Sequence, residues 1–234
     1  MIQQLLRRLA WAWRRPTTPA PSSPAQPHDL AACIVRAMER NGYAIDRGPG
    51  EVNIVYLEGA DADGTPNGNA ANRFNDRRIV IRFEDGVPRI AGNWQATTEP
   101  GRHFTMRPLP GVDGAARIRL GQQRAWQVGI HHAGTPSGHE ALVQTGGPVT
   151  VCRDVNRDYE RTGDRQTTGW YGINQHWGYD FPEDDIRTAS AGCLVGRTRE
   201  GHRAFMAIVK SDPRYRSNRR FVFATTVMPG EWLQ

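Results

Sequence analysis

From Glu51 to Trp177 the chain is cut into short runs by turn-forming residues, and this punctuation limits the possible folds more than any other feature. The runs "EVNIVYLEG", "RRIVIRFEDGVPRIAGNW", "ARIRLG", "AWQVGIHH", "ALVQTG", "PVTVCRD" and "WYGINQHW" are separated by Gly, Pro, Asn and Asp. Those residues end strands and reverse the chain. Asp85-Gly86 sits at the centre of "FEDGVPRI" and predicts a two-residue hairpin turn. Two stretches carry helical spacing instead. In "HDLAACIVRAMERNGY", Leu30, Ile34, Ala37 and Met38 fall on one face, with Asp29 placed to cap the start and Gly42 the end. In "REGHRAFMAIVKSD", Phe205, Ile208 and Val209 face inward. "RRFVFATTVM" reads as a last strand. No internal repeat is visible, so the chain is expected to form a mainly β domain with two peripheral α-helices.

The expected domain spans residues 28–234. Ahead of it, "MIQQLLRRLAWAWRRP" mixes Leu and Trp with Arg7, Arg8, Arg14 and Arg15. The arginines interrupt the apolar stretch of about 7–15 residues that a secretory signal needs, so no clean signal peptide is read. Residues 1–15 suit membrane-surface contact as a basic amphipathic helix; a frayed tail or a misplaced start codon is the alternative. Residues 16–27, "PTTPAPSSPAQP", read as an extended linker. No run approaches the ~20 apolar residues of a membrane span. The formal charge of +6 suits an anionic partner: nucleic acid, acidic lipid or cell-wall polymer. All basic residues but Lys210 are arginine and they are scattered, the mark of a GC-rich genome rather than of one phosphate-binding face. Cys33, Cys152 and Cys193 are odd in number and share no close spacing, which argues against a disulfide framework, and no CxxC metal knuckle is present. Cys33 is expected on the apolar side of the first helix, and Cys152 toward the core.

"RTASAGCLVG", residues 187–196, sets Cys193 among small residues. A cysteine nucleophile acts as thiolate, so it needs a base and oriented N–H groups for the oxyanion that forms. Ser190, Ala191 and Gly192 are small enough for a tight turn that exposes amides. His176, near the end of a predicted strand, is the candidate base, brought to Cys193 by the loop "GYDFPEDDIRTA".

A His, a loop and then Ser-x-Gly-Cys resembles the signature of the L,D-transpeptidase (YkuD-type) catalytic domain, with His176, Ser190, Gly192 and Cys193 at the matching positions. "TTEPGRHF", Thr97 to Phe104, is similar to that family's upstream Thr-Pro-x-Gly-x-Phe segment, and the resemblance covers about residues 90–228 in outline. Ala191 stands where the family has His, and Val195 where it has Asn or Arg. The resemblance implies a β-sandwich-like fold and a cysteine acyl-transfer enzyme acting on peptidoglycan stem peptides, as transpeptidase or as carboxypeptidase. Cys193 would attack the acyl carbonyl and His176 would take and return the proton. Ser190 would orient the imidazole or shape the turn. Gly192 and Cys193 amides would form the oxyanion hole beside Ala191, and Arg197 would hold a substrate carboxylate. No cofactor, metal or nucleic-acid partner is implied. The work would be periplasmic, cell-envelope or secreted, including that of a lytic or antibacterial effector.

Two other readings stay open. His131, His139 and Glu140 in "VGIHHAGTPSGHEA" raise a zinc hydrolase, although HExxH spacing is absent and adjacent His131 and His132 on a strand should point to opposite faces. A non-catalytic basic β domain could bind glycan or another polyanion through exposed Trp94, Trp126, Trp170 or Trp177. Asp61/Asp63/Asn67 and Asp154/Asn156/Asp158 suggest calcium loops, but read better as Asx-stabilised turns. No function is read for residues 41–94.

Overall fold

The computed structural model describes residues 29–234; the segments read as a basic helix and a linker over 1–27 lie outside the described residues. Helix α1 (Leu30–Arg40) starts where its cap predicts. The Asp29 carboxylate accepts from the amides of Ala31 and Ala32 at 3.1 and 3.3 Å, satisfying donors that a helix start leaves open. Strands β1 (Asn53–Glu58), β2 (Asp76–Glu84) and β3 (Val87–Thr97) follow. The β2–β3 turn is Asp85-Gly86, with φ +51° and +78°, the left-handed pair that a two-residue hairpin requires.

The remaining strands are β4 (Ala115–Ile118), β5 (Gly121–His131), β6 (His139–Gln144), β7 (Val149–Asp154), β8 (Arg165–Gly169), β9 (Gln175–Trp177), β10 (Leu194–Gly196) and β11 (Phe223–Pro229). Eight of the eleven strands close a barrel in the order β1-β11-β5-β6-β9-β10-β3-β2, and β4-β7-β8 form a separate sheet. The domain is thus mainly β, as expected, with its larger layer rolled shut. Pairing is antiparallel except for β1 with β11 and β9 with β10. Helix α3 (Arg199–Lys210) is the second expected helix; two five-residue helices, α2 (Arg102–Met106) and α4 (Pro213–Ser217), accompany it.

Alternation explains the core. From β1, Ile54 and Tyr56 join Trp126, Leu142, Leu194 and Phe223 in the main cluster, which also takes Val149 and Val151 of β7 and Phe205, Met206 and Val209 of α3. The intervening Val55 and Leu57 pack instead with Ile34 and Met38 of α1. β1 is buried on both faces, so it reads as an unbroken apolar run. Residues 41–94, which carried no functional reading, supply most of three barrel staves, β1 to β3.

Candidate functional site

Cys193 lies at the entry to β10 and opens into a cleft of about 410 Å³, which Ala191, His131, Arg153, Tyr171 and Trp170 also line. The turn before it is braced by Ser190, whose hydroxyl accepts from the Gly192 amide at 3.1 Å and donates to the Cys193 carbonyl at 2.9 Å. Gly192 has φ +134°, and a Cβ there would sit 2.5 Å from the Ala116 carbonyl oxygen. Only glycine fits. The Gly101 amide donates to the Ser190 carbonyl at 2.8 Å, so the "TTEPGRHF" segment packs directly on the cysteine loop.

β9 and β10 run parallel with His176 opposite Val195, and the Leu194 amide donates to the Asn174 carbonyl. Cys193 therefore lies across from Asn174, two residue pairs from His176. Side chains two apart on a strand share a face, which puts thiol and imidazole on one side of the sheet. His176 Nδ1 donates to the Trp177 carbonyl at 2.8 Å, so Nε2 carries the lone pair. Burial and the neighbouring imidazoles hold its pKa well below the usual value.

His131 stacks on His176 with ring centroids 3.9 Å apart and planes 8° from parallel. Asn174 Oδ1 accepts from the Gln144 amide, so its Nδ2 must be the donor to His131 Nδ1 at 2.9 Å. That fixes the His131 proton on Nε2. Burial, first, and then the charges of His132 and His139 lower its pKa to about 3. His131 is thus a neutral imidazole whose free nitrogen is a donor in the cleft.

Several expectations are corrected. Cys193 is not hydrogen-bonded to His176: Sγ donates to the Gly172 carbonyl at 3.6 Å and accepts from the Asn174 amide at 3.4 Å. Burial pushes the thiol pKa up to about 11, where a His partner was expected to lower it. Ser190 shapes the turn; the imidazole is oriented by the Trp177 carbonyl instead. The Gly192 amide is spent on Ser190 and is not free for an oxyanion. Arg197 lies outside the cleft lining, with Nε on Gln95 Oε1 at 2.6 Å and Nη1 on the Phe181 carbonyl at 3.3 Å.

The rival sites fare differently. β5 ends at His131, and His132 turns with φ +53°, so the two rings stack at 3.9 Å rather than pointing apart. His139 packs flat on Trp177 at 3.7 Å and donates from Nδ1 to the Ser137 carbonyl. Among the described residues no three His, Cys, Asp or Glu side chains converge as metal ligands would. Asp63, Asn156 and Asp158 each accept the amide two residues on, as Asx turns do, while Asp154 accepts from Asp158 and Tyr159. Trp126 is buried with Nε1 donating to the Ile173 carbonyl; of the four tryptophans considered for stacking, Trp170 is the exposed one, at 61%. Cys33 and Cys152 are buried, but Cys152 lies outside the main apolar cluster, on the opposite face of β7 from Val149 and Val151. His131, Asn174 and Arg153 are the site residues that sequence reasoning missed or placed elsewhere. Compared with models of known families, with curated proteins and with solved structures, the chain matches none.

Proposed function

We propose that this protein is a cysteine-dependent acyl-transfer enzyme acting on peptidoglycan stem peptides, as an L,D-transpeptidase or L,D-carboxypeptidase. The observation that supports the reading most directly is Cys193 opening into a cleft on the same sheet face as His176, whose proton the Trp177 carbonyl holds on Nδ1, leaving Nε2 unprotonated. In this reading a χ1 rotation releases Sγ from the Gly172 carbonyl. His176 Nε2 takes the thiol proton as Sγ bonds to the substrate carbonyl carbon, and the oxyanion forms against His131 Nε2–H and the Cys193 amide. Collapse breaks the C–N bond, and the His176 proton leaves with the amine. The resulting thioester passes its acyl group to a second amine or to water. Such work lies outside the cytoplasmic membrane; among the described residues no helix is long and apolar enough to cross one.

Isolated sacculi incubated with the protein, followed by mass spectrometry of the muropeptides, test the reading. The wild type should shorten or cross-link the stems, and Cys193→Ala should lose at least about 10³-fold of that activity. Unchanged sacculi with folded wild-type protein would overturn it. Exposed Trp170 at the cleft favours one second reading, a glycan-binding module; its signature is sacculus binding that survives Cys193→Ala, with no product formed.

A further inference from the structure

Arg153 stands at the end of β7 on the face that carries Val149 and Val151 into the core, and it lines the cleft that holds Cys193. Its guanidinium lies over the Tyr171 ring, 4.5 Å from the centroid, and Nε donates to Thr167 Oγ1 at 3.1 Å. These two contacts fix the plane of the fork. Arg153 is only 9% exposed, yet among the described residues no carboxylate comes within ion-pair distance of it. Arg117, Arg161 and Arg214 each hold one, Glu99, Glu58 and Asp212. Arg78, buried more deeply, also lacks a carboxylate, but its fork is closed in by His202 Nδ1 at 3.2 Å and the Phe205 ring at 4.1 Å. Arg153 instead borders an open cleft, where an anion can reach it and offset the cost of a desolvated charge.

The rest of the cleft limits what that anion is. Its other walls are largely apolar, including Phe104, Leu109, Val112 and Trp170, and Arg153 is the one Lys or Arg among the lining residues. A phosphate would want several cations or a cradle of amides; a planar fork matches a carboxylate. We propose that Arg153 is the carboxylate anchor of the Cys193 cleft, so that the compound presented to the thiol carries a free carboxylate beside its reactive carbonyl. The acyl chemistry rests on the function proposed above; the carboxylate specificity rests on Arg153. The role first expected of Arg197 thereby moves to a residue from a different sheet.

The test uses N-chloroacetyl-D-alanine and its carboxamide as a matched pair. In each, Sγ displaces chloride to form a thioether, the thiol proton going to buffer, and intact mass gives the rate at Cys193. Relative to the same pair on glutathione, the acid should react about 10- to 100-fold faster than the amide with wild-type protein. Arg153→Gln should bring that ratio to about 1, and Arg153→Lys should keep part of the preference. Equal reaction of the two reagents with the wild type overturns the assignment, whatever the variants do, and so does a preference that survives Arg153→Gln. Sacculi assayed in parallel separate the two claims. A carboxylate preference with inert sacculi keeps Arg153 and sinks the peptidoglycan reading; turnover of stems without the preference does the reverse.

Discussion

The resting thiol and imidazole are both neutral, and burial is the first cause in each case. Burial disfavours a charge of either sign, so it raises the cysteine and lowers the histidine. A pre-formed thiolate–imidazolium pair would give an alkylation rate that is already flat at acid pH. Cys193 should behave otherwise: its reaction with iodoacetamide should rise about tenfold per pH unit from pH 7 to 10 and level off only near pH 11, the value burial gives it. On the mechanism proposed above, the proton is then taken during the reaction rather than before it, by the unprotonated Nε2 of His176. Gly192 sets a second expectation. Gly192→Ala combines a positive φ with a 2.5 Å approach to the Ala116 carbonyl, so it should cost about 1–3 kcal/mol from backbone strain alone and move Sγ, read as lower Tm and lost alkylation selectivity. Cys193, His176 and the small-residue turn were legible in the sequence because they lie on one short stretch with a chemical pattern. His131 and Arg153 were not: they come from β5 and β7, and nothing along the chain says that those strand ends meet the cysteine.

Secondary elements were read well where alternation ran long enough and poorly where it did not. β10 has three residues, too few for a period to show, and β8, Arg165–Gly169, is polar at nearly every position. In "WYGINQHW" the expected strand shrinks to Gln175–Trp177, and the residues before it are held by a side chain. Gln144 Oε1 accepts from the Tyr171 and Ile173 amides at 3.1 and 3.0 Å, while Nε2 donates to the Gly147 and Gly169 carbonyls. One amide thus replaces a short ladder, and that segment carries Gly172, the resting partner of the thiol. Gln144→Leu should orphan these groups at about 1–3 kcal/mol each where they stay dry. Denaturant unfolding should show the loss, with the segment around residues 169–174 gaining hydrogen exchange. Ser190 makes the same point for the cysteine turn, where one buried hydroxyl bridges two backbone groups.

Beyond single elements, a carboxylate cluster ties β1 to β2 and to the chain after β3. Asp76 accepts from the Gly59 amide with Oδ1 and from the Thr98 amide with Oδ2, and Thr98 Oγ1 lies within hydrogen-bond reach of both Asp76 Oδ2 and Glu58 Oε1. One hydroxyl proton cannot serve both oxygens, so a protonated Asp76 completes the chain of bonds. Burial, then the charges of Glu58 and Glu99, raise its pKa from 3.8 to about 8. The stability this proton confers is complete below the unfolded value near 3.8 and is lost as pH rises, gone above about 8. Stability should therefore fall between pH 5 and 8 by up to about 1.4 kcal/mol per unit from this group, and the difference between wild type and Asp76→Asn in unfolding free energy against pH should show that slope. The barrel itself closes through β11, which sits between β1 and β5. A chain ended after Asn218 should expose both strand edges, lose cooperative unfolding and scatter light as it self-associates. The same placement sets a clock. Ribosomes deliver residues in order, so the stave that shuts the barrel arrives after the other seven and after Cys193. On the function proposed above, the thiol gains its finished surroundings only after the chain has been made through Pro229, and timing alone withholds its chemistry until then.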